Sequence, residues 1–375
     1  MRKVIVLISL LLIISIIPIA AQTADSTSTT TPIPERNVEN LIQEGIELHD
    51  EGEYEEAIDR YNEALDIDST QVYAVYEIAL SYLALKDYEN ASLYSSQVID
   101  SKDKQLSPGA YAVLSEALAG LDEVDNAIEV LYEGIEENGD IALLYFNLAL
   151  NYYKKGDIDK TIDHVTKSIN LDKSHSGAFL LHAYALNDKG LWVQSILPLQ
   201  MFLLIEPDSK RSKDAFNELL QTMQIKKSEE PVERSFIQRQ LMKNVSETAL
   251  HPSEVPPLST ENGLNRNFVY HAITTTIDSL NNVSDEVDDF TIFKAVNLEV
   301  IKVLERESKG SLEEKEGVFW TFYIPFFSLI AQSTYYDTYC RYISVSYIPE
   351  SLVWWEQNPE EAVNFVMWFE NGDDI

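Results

Sequence analysis

The chain repeats itself, and that repetition narrows its fold more than any other feature. Aligning Gly52, Gly156 and Gly190 sets unit starts at Val38, Val72, Pro108, Ala142 and Ser176, a spacing of about 34 residues. A chain with this period does not fold around one central core, because each unit can bury its apolar face only against its neighbours. The eighth position of successive units holds Gly45, Ala79, Ser115, Ala149 and Ala183, and the twentieth holds Ala57, Ala91, Ala127, Thr161 and Ser195. Small residues at two fixed places let two backbones approach closely. Larger residues fall between them at helical spacing: Leu41 and Leu48, Val75 and Tyr82, Tyr111 and Leu118, Tyr145 and Tyr152, Phe179 and Leu186. Two amphipathic helices per unit are expected. At the seventeenth position Tyr54, Tyr88, Val124, Ile158 and Trp192 would fill the space beside the small residues.

This pattern resembles the tetratricopeptide repeat (TPR), and the resemblance covers about 170 residues, Val38 to Pro207. It implies an all-α, right-handed TPR solenoid of about five units, residues 38–71, 72–107, 108–141, 142–175 and 176–209. Residues 210–226, with Phe216, Leu219, Leu220 and Met223 at helical spacing, would cap the last apolar face. Lys86 and Asp122 stand where the family's turn glycine is expected, and Ser69, Asp103, Gly139 and Lys173 stand where it has proline.

In this family the first helix of each unit lines a concave groove. Carried onto this sequence, the groove positions are Tyr73, Tyr76, Leu80 and Leu83 of unit two, and Leu143, Phe146, Asn147, Leu150 and Tyr153 of unit four. Unit five adds Leu180 and Tyr184, while unit three offers Gly109, Ala112 and Ala119 with Glu116 as its single charge. Tyr76 and Phe146, at fifth positions, are expected to face the groove axis and not to pack between helices. The resemblance implies a non-catalytic scaffold that takes a peptide or helix into an apolar trough. The protein's own carboxy-terminal chain or a second copy are the other occupants. A clamp for a terminal carboxylate would need Lys and Asn at the fifth and ninth positions. The pairs here are Ile42/Ile46, Tyr76/Leu80, Ala112/Glu116, Phe146/Leu150 and Leu180/Tyr184.

Outside the repeats the composition changes three times. Arg2 and Lys3, an apolar run from Val4 to Ile17, and Ile19-Ala20-Ala21 read as a signal peptide over residues 1–21, cleaved before Gln22. With no cysteine after the run, a lipoprotein is not expected. Export to the bacterial periplasm or beyond is, with no membrane span in the mature chain. Residues 22–37, rich in Ser and Thr, read as a disordered tether. Residues 227–265 read as a helix around 231–249 and a linker containing Pro252, Pro256, Pro257 and Gly263.

Residues 266–375 carry twenty aromatic residues, four of the five tryptophans among them, and read as a second, irregular helical domain. This region is similar to uncharacterised regions that follow TPR arrays in exported bacterial proteins. Helices are expected near 268–280, 287–307, 313–331, 334–347, 351–357 and 359–369. The third should be a buried helix kinked at Pro325. An enzyme or small-ligand site in this domain is the alternative function.

Charge and chemistry narrow the function further. Against 62 acidic residues stand 28 basic ones, for a net charge of −34 that repels nucleic acid and anionic lipid. Cys340 is the single cysteine, so no disulfide and no CxxC metal or redox pair exists. No nucleophile elbow, phosphate loop or metal-ligating spacing is found, and neither catalytic residues, a cofactor nor a metal is expected. The acids are unevenly placed. Val38 to Gln71 holds twelve with only Arg60 opposing them, and Pro108 to Ile141 holds nine with no Lys or Arg. Such blocks form a solvated face, or steer a basic partner to the amino-terminal units.

Overall fold

The computed structural model describes residues 37–225, 260–261, 263–283, 287–309 and 315–371. The expected signal peptide, nearly all of the tether and the helix around 231–249 lie outside the described residues. The fold is all-α, a TPR-type solenoid of helical hairpins in tandem. The hairpins are α1 (Val38–Glu51) with α2 (Tyr54–Ile67), α3 (Val72–Ala84) with α4 (Tyr88–Ser101), and α5 (Ser107–Gly120) with α6 (Val124–Asn138). They continue as α7 (Ala142–Lys155) with α8 (Ile158–Leu171) and α9 (Ser176–Asp188) with α10 (Trp192–Ile205), before α11 (Lys210–Thr222).

Each turn inside a hairpin needs one residue in the left-handed region. Gly52, Gly156 and Gly190 adopt it at φ 88°, 78° and 79°, and Lys86 and Asp122 adopt it at 61° and 67° despite their side chains. Aspartate caps help set the second helices: Asp87 and Asp157 accept the backbone N–H groups of Asn90 and Lys160. The small residues of the eighth and twentieth positions are buried throughout. At Gly45 a Cβ would lie 2.4 Å from the Tyr61 ring, so even alanine would be too large there.

The described chain forms two compact bodies, residues 37–151 and 152–371. The composition shift after Lys226 points to a division there. The structure instead joins repeat five and the carboxy-terminal helices in one body. The reason is α10, whose fourteen residues carry no charge and which buries everything from Trp192 to Leu204. A helix apolar all round must be covered all round.

The carboxy-terminal helices are α12 (Arg266–Val283), α13 (Asp289–Ser308), a π-helical turn (Phe319–Tyr323), α14 (Ile324–Gln332), α15 (Tyr336–Ser344), α16 (Pro349–Gln357) and α17 (Pro359–Asn371), of which α13, the π turn and α15 meet α10. A two-residue antiparallel pair, β1 (Thr260–Glu261) with β2 (Leu264–Asn265), precedes α12. Phe216 of α11 meets Phe293 and Tyr347 at ring-centroid distances of 5.0 and 5.4 Å. Phe179 of α9 meets Tyr323 at 6.0 Å. Where a buried helix kinked at Pro325 is expected over 313–331, helical backbone runs unbroken from Val318 to Gln332, with the π turn directly before Pro325.

Candidate functional site: the inner helix row

Within residues 37–151 the first helices α3, α5 and α7 carry the groove positions. Tyr73 and Leu143, both second positions, are 42% and 39% exposed. Tyr76, Leu80, Leu83, Phe146 and Leu150 are partly buried, each with some surface open. Tyr76 departs from the expectation for fifth positions. A Cβ on Gly109 would lie 2.5 Å from the Tyr76 hydroxyl oxygen, so Tyr76 reaches across and packs on the next repeat. The glycine at that place in α5 is what admits the ring. Asn147 is not a surface group either: it is buried, and its Nδ2 donates to the Leu143 carbonyl at 2.9 Å.

In residues 152–371 the remaining groove candidates are buried. Tyr153 is 1% exposed, and its hydroxyl donates to Asp188 Oδ2 at 2.5 Å. Leu180 and Tyr184 lie in α9, where every residue from Ala178 to Leu186 is buried. Burial, with Glu218 and Asp214 of α11 behind it, holds the Tyr184 phenol well above its ordinary pKa. All three side chains are core, Leu180 and Tyr184 because repeat five is enclosed and Tyr153 because it packs on that repeat through Asp188.

The inner row also contains an acid that the apolar pattern passed over. Glu77, at the sixth position of α3, is 8% exposed. Burial raises its carboxyl pKa, opposed by a hydrogen bond from the Tyr73 hydroxyl and by His49, while Asp50 adds to the rise. Burial and the Glu77 carboxylate in turn push the Tyr73 phenol up to about 12. His49 Nδ1 lies 2.9 Å from Ser81 Oγ, which donates to the Glu77 carbonyl. Glu116, at the ninth position of α5, is exposed, and crowding by the surrounding protein raises its pKa. A charged residue inside an otherwise apolar inner row was the signal available for Glu77.

Several of the polar groups enclosed by the carboxy-terminal helices pair with one another, while Ser328 Oγ has no hydrogen-bond partner. Tyr339 Oη donates to Gln200 Oε1 at 2.6 Å, and Gln200 Nε2 donates to Asn297 Oδ1 at 2.9 Å. His182 Nδ1 lies 3.0 Å from Tyr323 Oη, and full burial pushes the imidazole down to about 3. Burial drives the Cys340 thiol up to about 12, which makes it an inert core group and no nucleophile. Among the described residues no group of three or more His, Cys, Asp or Glu is placed to hold a metal ion. Among them, too, no helix is long and apolar enough to cross a membrane.

Models of the repeat match two stretches, residues 45–86 as TPR repeat and residues 142–175 as tetratricopeptide repeat. The chain thus carries tetratricopeptide repeats in these two stretches, and repeats of this kind form scaffolds for protein partners. It is similar to the TPR repeat-containing protein MJ1428 of Methanocaldococcus jannaschii, with 25% identity over 151 residues. That match covers 40% of this chain and 26% of the relative, so the chain spans about a quarter of the relative's length. Among solved structures it is similar to TTC0263, a thermophilic TPR protein of Thermus thermophilus, at 20% identity and a TM-score of 0.44. The likeness covers 50% of this chain and 99% of that one. YrrB, described as a TPR protein with an unusual peptide-binding site, is 20% identical, covering 48% of this chain and 89% of that one, with a TM-score of 0.34.

Proposed function

We propose that the protein is a non-catalytic scaffold of the bacterial cell envelope that binds a helical or extended segment of a protein partner along the inner face of α3, α5 and α7. The observation that carries this reading is the run of apolar side chains with open surface there: Tyr73, Leu80, Leu83, Leu143, Phe146 and Leu150. Contiguous apolar surface on a folded protein marks a place where another chain sits. The signal-peptide pattern of residues 1–21 supports export, and amino-terminal sequencing of native protein should find Gln22 first. Finding Met1 would remove the envelope from this reading.

The groove is tested by replacing Leu143 and Phe146 together with alanine in the mature chain and repeating affinity capture from the native envelope. Partner recovery should drop by at least about tenfold, as when apolar anchors are truncated, with the melting temperature nearly unchanged. If the protein's own chain occupies the face, the same variant will melt earlier and be cut faster by protease. A variant that keeps both stability and every partner would show that the inner row is not where the protein works.

A further inference from the structure

We infer that the inner row holds its partner segment in one orientation, with the segment's lysines or arginines at the α1 end and its apolar side chains at the α7 end. This rests on the reading that the inner row binds a partner. The four first helices lie side by side in chain order, each held to the next. His49 Nδ1 of α1 is 2.9 Å from Ser81 Oγ of α3, the Tyr76 ring of α3 packs on Gly109 of α5, and Asn151 Nδ2 of α7 donates to Ser115 Oγ of α5 at 3.0 Å. All six residues belong to the body of residues 37–151.

Along this order the chemistry of the row changes. The second positions are Glu39, Tyr73, Gly109 and Leu143, and the ninth are Ile46, Leu80, Glu116 and Leu150. Asp50 stands at the thirteenth position of α1. Glu39, Asp50 and Glu116 are exposed. At the other end, residues 142–151 of α7 carry no charge and keep surface open at Leu143, Phe146 and Leu150. No Lys or Arg occurs in α1, α3, α5 or residues 142–151, because Arg60, Lys86, Lys102 and Lys104 lie in α2 or between helices. The row is acidic at one end, apolar at the other and nowhere positive.

A segment laid across the row gains most when its cations meet the carboxylates of α1 and its apolar groups meet α7. Turned round, it would press cations against Leu143 and Phe146 and leave its apolar groups in water. The same charge selects the occupant. A second copy brings a net charge of −34, and residues 342–375 hold seven acids with no Lys or Arg, so both are repelled. A separate chain with a basic end is drawn in. Packed helices lie about 8–10 Å apart, so the row spans about 25–30 Å from α1 to α7. That is about eight or nine residues of extended chain between the basic and the apolar end of the segment.

The probe is a random library of short displayed peptides selected on the full mature chain at low salt. Enriched peptides should separate Lys or Arg from Leu, Phe or Trp into opposite ends. They are resynthesised with the basic end changed to glutamine or the apolar end to alanine, and titrated against wild type, Phe146→Ala and the double variant Glu39→Gln/Asp50→Asn. Both acids are exposed, so the double variant should melt as wild type does. Glutamine at the basic end should weaken binding to wild type by about three- to tenfold and add nothing on the double variant. Alanine at the apolar end should weaken it by at least about tenfold and add little on Phe146→Ala. Raising the salt should bring wild type towards the double variant. Peptides that lack basic residues, or whose basic end matters as much on the double variant, yet are released by Phe146→Ala, would overturn the orientation and leave the groove standing. Failure to enrich any peptide, or binding indifferent to Phe146→Ala, would overturn both.

Discussion

Repeats one and five share a register and differ in what surrounds them. At matching places in their second helices, α2 has Asp59, Asn62 and Asp66, all exposed, where α10 has Leu197, Gln200 and Leu204, all buried. The close-approach residues Ala57 and Ser195 are equally buried in both. The repeat positions therefore fix how two helices of a hairpin meet and leave the outer face free. In repeat one that face is charged and wet. In repeat five it is the floor of a second layer of helices. One repeat scaffold thus serves as a surface at one end and as a core element at the other.

The largest effect expected from this contrast is a reciprocal exchange. Leu197→Asp should destabilise residues 152–371 by about 4 kcal/mol or more, since it buries a charge without a partner. Asp59→Leu, at the same repeat position, should stay within about 0.5 kcal/mol. All five tryptophans lie in residues 152–375, so urea unfolding followed by tryptophan fluorescence reads that body alone, and circular dichroism reads both. Equal effects of the two substitutions would erase the distinction.

Gln200→Leu comes next. It strips Tyr339 Oη and Asn297 Oδ1 of their partner and should cost about 2–4 kcal/mol, while Asn62→Leu should cost almost nothing. The same denaturation experiments check both.

A third, smaller effect depends on pH. His182 is held neutral in the folded state, with its pKa down at about 3, while in the unfolded chain it titrates near the ordinary value of about 6.5. Between these values the unfolded state binds a proton that the folded state refuses, so stability is full above about pH 6.5 and falls on acidification. By pH 5 the loss should be about 2 kcal/mol. His182→Gln, which keeps a hydrogen-bonding group beside Tyr323, should flatten that part of the stability-versus-pH curve.

The smallest effects belong to the turns. Lys86→Gly and Asp122→Gly should each raise the stability of residues 37–151 by about 0.5–1 kcal/mol by relieving left-handed backbone. Gly52→Ala should lower it by a similar amount, read from thermal unfolding by circular dichroism.

Much of the array was legible from residue spacing, because a helix hairpin is a local structure. The small residues at the eighth and twentieth positions set the approach of its helices. The turn forced Lys86 and Asp122 into the conformation that glycine adopts elsewhere. The inner row was legible only in part. Fifth-position logic placed Tyr76 towards the axis, yet Gly109 in the following repeat leaves room for its ring, and that pairing spans two units. Glu77 was passed over because the row was read for apolar residues, and its setting is made by Tyr61, Tyr73 and Asp50 from three different helices.

The sequence alone determined the period, the hairpins and their turns, since these follow from contacts between residues close along the chain. Tertiary structure decided which inner-row residues stay accessible and where one compact body ends and the next begins. The composition break after Lys226 marked a change in residue usage. The packing of Phe216, Gln200 and His182 against Phe293, Asn297 and Tyr323 joined what lies on either side of it. Burial depends on what arrives from far along the chain, and α10 showed only that something must: a helix without a polar face requires cover but does not specify the source.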